Sequence, residues 1–400
     1  MEKKQKLWTR DFIMLTAINF FVSFNFFSIN NTMPLYAMSA FKLNESKAGF
    51  VVGIFSFGIL VARFFAGKYA ERIGYKKTLI FSTTAITIVT SGYLFATTVP
   101  FLCAVRFFNG FFIGTALNTA LTLAGSSVPR ERSGEGLGYF SLGQVLATAL
   151  GPSFGVSLAM NERFTALFLL CTSVVGVGIL FSILIRIKPN ESQSDELDSS
   201  ENESTKSKGG IIEPKVIPIA IIAALLIGTS VGINSFLAPF AKDIGIANAV
   251  VFYFPMNAVS MLISRPFIGK LYDRKGANIV IFPSLIIYSI GMLIANQAQY
   301  GYSLLILAVL VGVGLGGFSS TSLALVMKLV PIHRLNMANA TYYIFVDTAA
   351  SIGPVVIGLI IPIFGFRGMF IFAFIVILLC IPTYFLIYGK KLMRENATNK

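Results

Sequence analysis

The sequence holds one histidine, His333, and three cysteines, Cys103, Cys171 and Cys380. Each cysteine lies inside an apolar run at no ligand spacing, so the three read as small core residues and not as a metal site or a disulfide framework. The histidine falls in a loop, away from any cluster of catalytic groups. Charged residues make up only 12% of the chain, and no Walker-type glycine-rich stretch is present to bind a nucleotide. No metal, no cofactor and no catalytic residue is expected, and the chain does not read as an enzyme.

In place of charge stand long apolar runs. Hydrophobic residues make up 55% of the sequence. Runs of about 18–25 residues suffice to cross about 30 Å of hydrocarbon at 1.5 Å per helical residue. They fall at 12–33, 49–66, 78–98, 100–123, 136–158 and 164–185, then at 216–238, 249–268, 279–297, 302–326, 338–361 and 367–388. The expected fold is an all-α integral membrane protein of twelve transmembrane helices in two six-helix bundles, residues 1–186 and 215–400. Residues 187–214 are rich in Ser, Glu, Asp, Asn and Lys and read as a disordered linker.

The net charge of +14 does not indicate nucleic acid, because the cations alternate between loops. Lys68, Arg72, Lys76, Lys77, Arg132, Lys270, Arg274 and Lys275 share one side with both termini, and the opposite loops hold only Lys42, Lys47, Arg163, Lys242 and Arg367. This bias predicts cytoplasmic termini and a multi-pass protein of the plasma membrane.

The chain is also duplicated. Gly67-Lys68-Tyr69-Ala70-Glu71-Arg72-Ile73-Gly74 is answered 202 residues on by Gly269-Lys270-Leu271-Tyr272-Asp273-Arg274-Lys275-Gly276. In the same register Arg63 falls on Arg265, Gly110 on Gly312, Gly114 on Gly316, Arg132 on Arg334 and Gly151-Pro152 on Gly353-Pro354. Equal loop lengths across the repeat imply a shared geometry. Only the first loop of each half breaks step, Pro34 answering to Pro239 at an offset of 205. Gly74 and Gly276 are expected to take positive φ in short reversals, and Gly67 and Gly269 to allow close helix approach. Gly138, Gly151-Pro152, Gly155, Gly353-Pro354 and Gly358 read as sites of close packing and bending.

Some polar residues inside the runs break the symmetry. Arg106 has Ala308 as its counterpart, and Asp347, the one acid well inside an apolar run, has Val145. A buried guanidinium costs about 2.5–3.5 kcal/mol on insertion scales, so Arg106 is expected to face protein or water. Asn339, Tyr343, Asp347 and Ser351 recur every four residues and form one polar stripe. Asn25 is either helix–helix glue or a cavity residue.

With these residues in view, the sequence resembles the major facilitator superfamily. Its motif A, Gly-x-x-x-Asp-Arg-x-Gly-Arg-Lys, is met at Gly67, Arg72, Gly74 and Lys76, with Glu71 for Asp, and again at Gly269, Asp273, Arg274 and Gly276. Motif B, Arg-x-x-Gln-Gly, is similar to Arg106, Asn109 and Gly110. The antiporter motif C is similar to Gly138, Gly151, Pro152 and Gly155, departing at Ala147 and Val156. The resemblance implies a monomeric secondary transporter that opens alternately to either side of the bilayer. A proton-driven exporter of a small organic compound is the leading reading. A facilitator or uptake symporter of the same fold is the alternative, with lipid flipping a further one. Asp347 and Arg106 would serve proton coupling, and Asn25, Asn109, Tyr343 and Gln144 would meet the substrate. Gly67, Glu71, Arg72, Gly74, Gly269, Asp273, Arg274, Gly276, Gly151, Pro152, Gly353 and Pro354 would gate. Glu71 is expected near the start of the eleventh helix and Asp273 near that of the fifth, as carboxylates against helix N-termini.

Overall fold

The computed structural model describes residues 8–128, 132–186, 212–331 and 334–389, without the side chains at 64, 66–69, 71, 133, 134 and 336. Among these residues there are helices and no strands. They run α1 Arg10–Ala40, α2 Glu45–Ile73, α3 Tyr75–Ser91, α4 Val99–Ser127, α5 Ser133–Met160 and α6 Phe164–Leu184. Then follow α7 Ile217–Asp243, α8 Ala247–Lys275, α9 Asn278–Asn296 and α10 Gly301–Leu329, and last a helical stretch, Leu335–Tyr384.

That last stretch has 50 residues, about 75 Å if straight and more than twice the hydrocarbon thickness. It is not straight. Gly365 sits at φ 73° and ψ 174°, a backbone that L side chains avoid, and divides the stretch into α11, residues 335–364, and α12, residues 366–384. Arg367 secures the corner by donating from Nη1 to Asn296 O at 2.8 Å and from Nη2 to Ala298 O at 2.9 Å, so it caps the end of α9. Among the described residues the spans number twelve, as the apolar runs require.

The chain divides into two compact units, residues 1–43 with 51–197 and residues 44–50 with 198–400. In the first, α1 packs on α4, α5 and α6, and α3 on α4 and α6. In the second, α7 packs on the Leu335–Tyr384 stretch, while α10 packs on α8 and α9. The repeat is visible in single atoms. A β-carbon at Gly110 would collide with the carbonyl oxygen of Phe55, and one at Gly312 would lie 2.6 Å from that of Asn257. Both residues of the second pair lie 202 positions beyond those of the first. Glycine is what lets α4 lie against α2, and α10 against α8.

Several expectations need correction. Pro34 and Pro239 lie inside α1 and α7, not in loops, since a proline near a helix end costs one backbone hydrogen bond without ending the helix. At Gly269 and Gly138 no described atom outside the glycine's own helical turn comes within 4 Å of where a β-carbon would stand, so among the described residues close approach does not explain either glycine. Gly74 and Gly276 do carry positive φ, 96° and 83°. Of the expected linker, residues 187–211 lie outside the described residues, but its end is fixed in the second unit. Glu213 is 2% exposed, its N–H donates to Thr341 Oγ1 at 3.0 Å, and its carboxylate accepts from Arg334.

Candidate functional site

The first unit encloses a polar core. Arg106 on α4 has no exposed surface. Its Nε donates to Val51 O at 3.2 Å, and its Nη2 to Asn30 Oδ1 at 2.8 Å and to Val52 O at 3.3 Å. The guanidinium also lies 4.5 Å from the centroid of the Phe55 ring, a cation–π contact strengthened by desolvation. Arg106 therefore ties α4 to α1 and α2 and does not snorkel outward. The guanidinium also interacts with the buried hydroxyl of Tyr93, although neither that oxygen nor the remaining nitrogen, Nη1, reaches full hydrogen-bond geometry.

One turn along α4, Asn109 donates from Nδ2 to Thr90 Oγ1 at 3.1 Å, and Asn25 on α1 donates to the same oxygen at 3.0 Å. Both asparagines are fully buried, and the amide oxygens of both lack a partner. Asn25, Thr90 and Asn109 thus join α1, α3 and α4 through one hydroxyl. Of the two readings open for Asn25, helix–helix glue fits a side chain with no exposed surface.

The second unit has no counterpart of Arg106. Ala308 holds that position, and its carbonyl accepts from Asn257 Nδ2 at 3.0 Å, so the helix pair is bridged from the opposite partner. Asp347 lies partly buried on α11. Along the polar stripe, Tyr343 is 39% exposed and Ser351 is 8% exposed. Ser351 turns inward, and its Oγ donates to Asp347 O at 2.9 Å. Gln144 is exposed on α5.

Among the gating candidates, the side chains of Gly67 and Glu71 lie outside the described residues. Arg72, Asp273 and Arg274 are exposed, and Gly151, Pro152, Gly353 and Pro354 are buried. The structure adds Thr90, Asn30 and Tyr93 to the polar core and Glu213 to the second unit.

A duplicated set of spans with a buried arginine in the fourth is what the resemblance to the major facilitator superfamily implies, and comparison with known proteins tests it. The Major Facilitator Superfamily model matches residues 15–300 and 256–400. The chain belongs to the Major Facilitator Superfamily. This superfamily chain is 24% identical to an uncharacterised MFS-type transporter of Methanocaldococcus jannaschii, across 92% of this chain and 93% of that one. It is 26% identical to the multi-drug resistance efflux pump PmrA of Streptococcus pneumoniae, across 91% and 90%. To the multidrug resistance protein MdtG of Enterobacter lignolyticus it is 27% identical, across 93% and 90%. Among solved structures, a POT family transporter in complex with 5-aminolevulinic acid superposes with a TM-score of 0.78 at 13% identity, covering 95% of this chain and 96% of that one. That likeness shows a shared fold. The protein is a multi-pass membrane transporter of a family that is not enzymatic.

Proposed function

We propose that the chain is a proton-driven antiporter that exports a small organic compound by alternating access. The observation that carries this reading is the alignment, over nine-tenths of each chain, with relatives named as multidrug efflux proteins. The asymmetry of the repeat supports the proton. An acid at 347 where the first half has Val145 is an addition to the duplicated scaffold, and a carboxyl at membrane depth is expensive to keep unless it works.

In this reading Asp347 takes and releases the coupling proton, and Tyr343, one turn away, meets the substrate beside it. Arg106, locked by three acceptors, holds the first unit in a defined geometry for the exchange. The protein would act as a monomer in the plasma membrane with both termini cytoplasmic, the arrangement that the cation bias favours.

The test is transport in proteoliposomes by the wild type and Asp347→Asn, with folding checked by size-exclusion profile. The expected result is loss of accumulation driven by a pH gradient while substrate exchange persists. Intact gradient-driven accumulation in Asp347→Asn would remove this carboxyl from coupling, and accumulation only in the uptake direction would replace export by symport.

A further inference from the structure

We propose that the second unit carries a groove for a single acyl chain of a membrane phospholipid, formed by α7, α11 and α12. The groove has a volume of about 540 Å³, and its wall runs from Ile212 past Leu225 and Thr229 and along α11 from Ile344 to Ile357. Leu225 and Ile352 on that wall are 47% and 52% exposed, so the groove is open.

Its chemistry is that of hydrocarbon. The hydroxyls in the wall belong to Thr229 and Thr348, and both are spent within their own helices. Thr229 Oγ1 donates to Leu225 O at 2.7 Å, and Thr348 Oγ1 to Ile344 O at 2.7 Å. A ligand there meets methyl and methylene groups, with no polar atom awaiting a partner.

The groove is also a specific departure from the repeat. Along the helix contacts the first-helix offset is 204, Gly151 meeting Phe24 O as Gly353 meets Gly228 O, so Ala224 and Gly228 answer to Phe20 and Phe24, and Val356 answers to Phe154 at 202. In the first unit these rings fill the equivalent place, Phe20 to Phe24 at 5.9 Å and Phe24 to Phe154 at 6.3 Å between centroids. Replacing three phenylalanines by Ala, Gly and Val leaves the space open.

The dimensions select the occupant. From Ile344 to Ile357 is about 20 Å along α11, so the volume corresponds to a mean cross-section of roughly 27 Å². A helix about 10–12 Å across is wider than the groove and would send only side chains into it. A linear chain fits. Lys215, three residues beyond Ile212, is exposed and supplies a cation for an anionic headgroup.

The full-length protein in nanodiscs containing a phosphatidylglycerol with a diazirine on one acyl chain provides the test, with labelled peptides mapped by mass spectrometry. Saturable labelling concentrated on peptides of α7 and α11 is expected. It should fall about tenfold when Ala224→Phe and Val356→Phe restore the residues of the first half. Should the double variant not fold, Val356→Phe alone serves, together with competition by unlabelled phosphatidylglycerol in the wild type. Labelling spread evenly over the outer helices, labelling undiminished by the fillers, or labelling competed by a free alkane and not by the phospholipid overturns the proposal.

Discussion

Arg334 Nη1 lies 3.1 Å from Glu213 Oε2, an ion pair in which the acid is 2% exposed and the arginine 42%. Its counterpart in the first half, Arg132, pairs with Glu135 one turn into its own helix, at 2.8 Å, with both side chains well exposed. One register position therefore pairs within the first turn of its own helix in one half and holds Glu213, ahead of α7, in the other. Glu213→Ala strands a half-buried guanidinium and removes the tie to Arg334, leaving only the backbone bond to Thr341. A destabilisation of about 1–2 kcal/mol is expected, read as a lower apparent melting temperature of the purified protein. Arg132→Ala should leave the melting temperature unchanged, because exposed pairs contribute little.

Thr90 offers a sharper test of the polar core. Thr90→Val keeps the side-chain volume and removes the oxygen that accepts from Asn25 and Asn109, which leaves two buried amides without an acceptor at about 1–3 kcal/mol each. The purified variant should melt well below the wild type, and Thr90→Ser should restore most of the loss. Equal melting of the valine and serine variants would mean that the hydroxyl does not hold these helices together.

For Arg106, geometry matters as much as charge. A lysine keeps the cation but cannot reach Val51 O, Val52 O and Asn30 Oδ1 together from one planar group. Arg106→Lys is expected to lower the transport rate more than about tenfold at normal expression, measured in vesicles. Full transport by the lysine variant would reduce Arg106 to an anchor.

Two glycines give opposite outcomes. Gly312→Ala places a methyl 2.6 Å from Asn257 O and should cost about 1–3 kcal/mol through overpacking of α8 against α10. Gly269→Ala meets open space, so the variant should match or slightly exceed wild-type stability, since alanine is the better helix former. Comparing the two melting temperatures checks both at once.

Much of the fold was legible because hydrocarbon imposes a length on each run and the repeat imposes a register. Gly110 and Gly312 could be paired from sequence, and their carbonyl neighbours obey the same offset. The polar core was legible only as a set of candidates. Arg106, Asn25 and Asn109 stand out in apolar helices by residue type, whereas Thr90 does not. Most threonines here bond back to their own helix, as Thr83, Thr87, Thr115 and Thr119 do, and nothing in the local sequence marks the one that serves two other helices. Glu213 was hidden for the opposite reason. It ends a polar stretch whose composition cannot form a core, and its burial comes from Arg334 and Thr341, more than a hundred positions away in sequence.

The left-handed turn at Gly365 has a consequence for direction. With it, α12 runs back beside α11, and the Tyr388 hydroxyl donates to Lys215 O at 2.9 Å, next to Glu213, whose N–H donates to Thr341 near the start of α11; without it, one helix of 50 residues would carry on for about 75 Å. One residue without a β-carbon, held by the carbonyl grip of Arg367, decides that the last helix closes on the second unit.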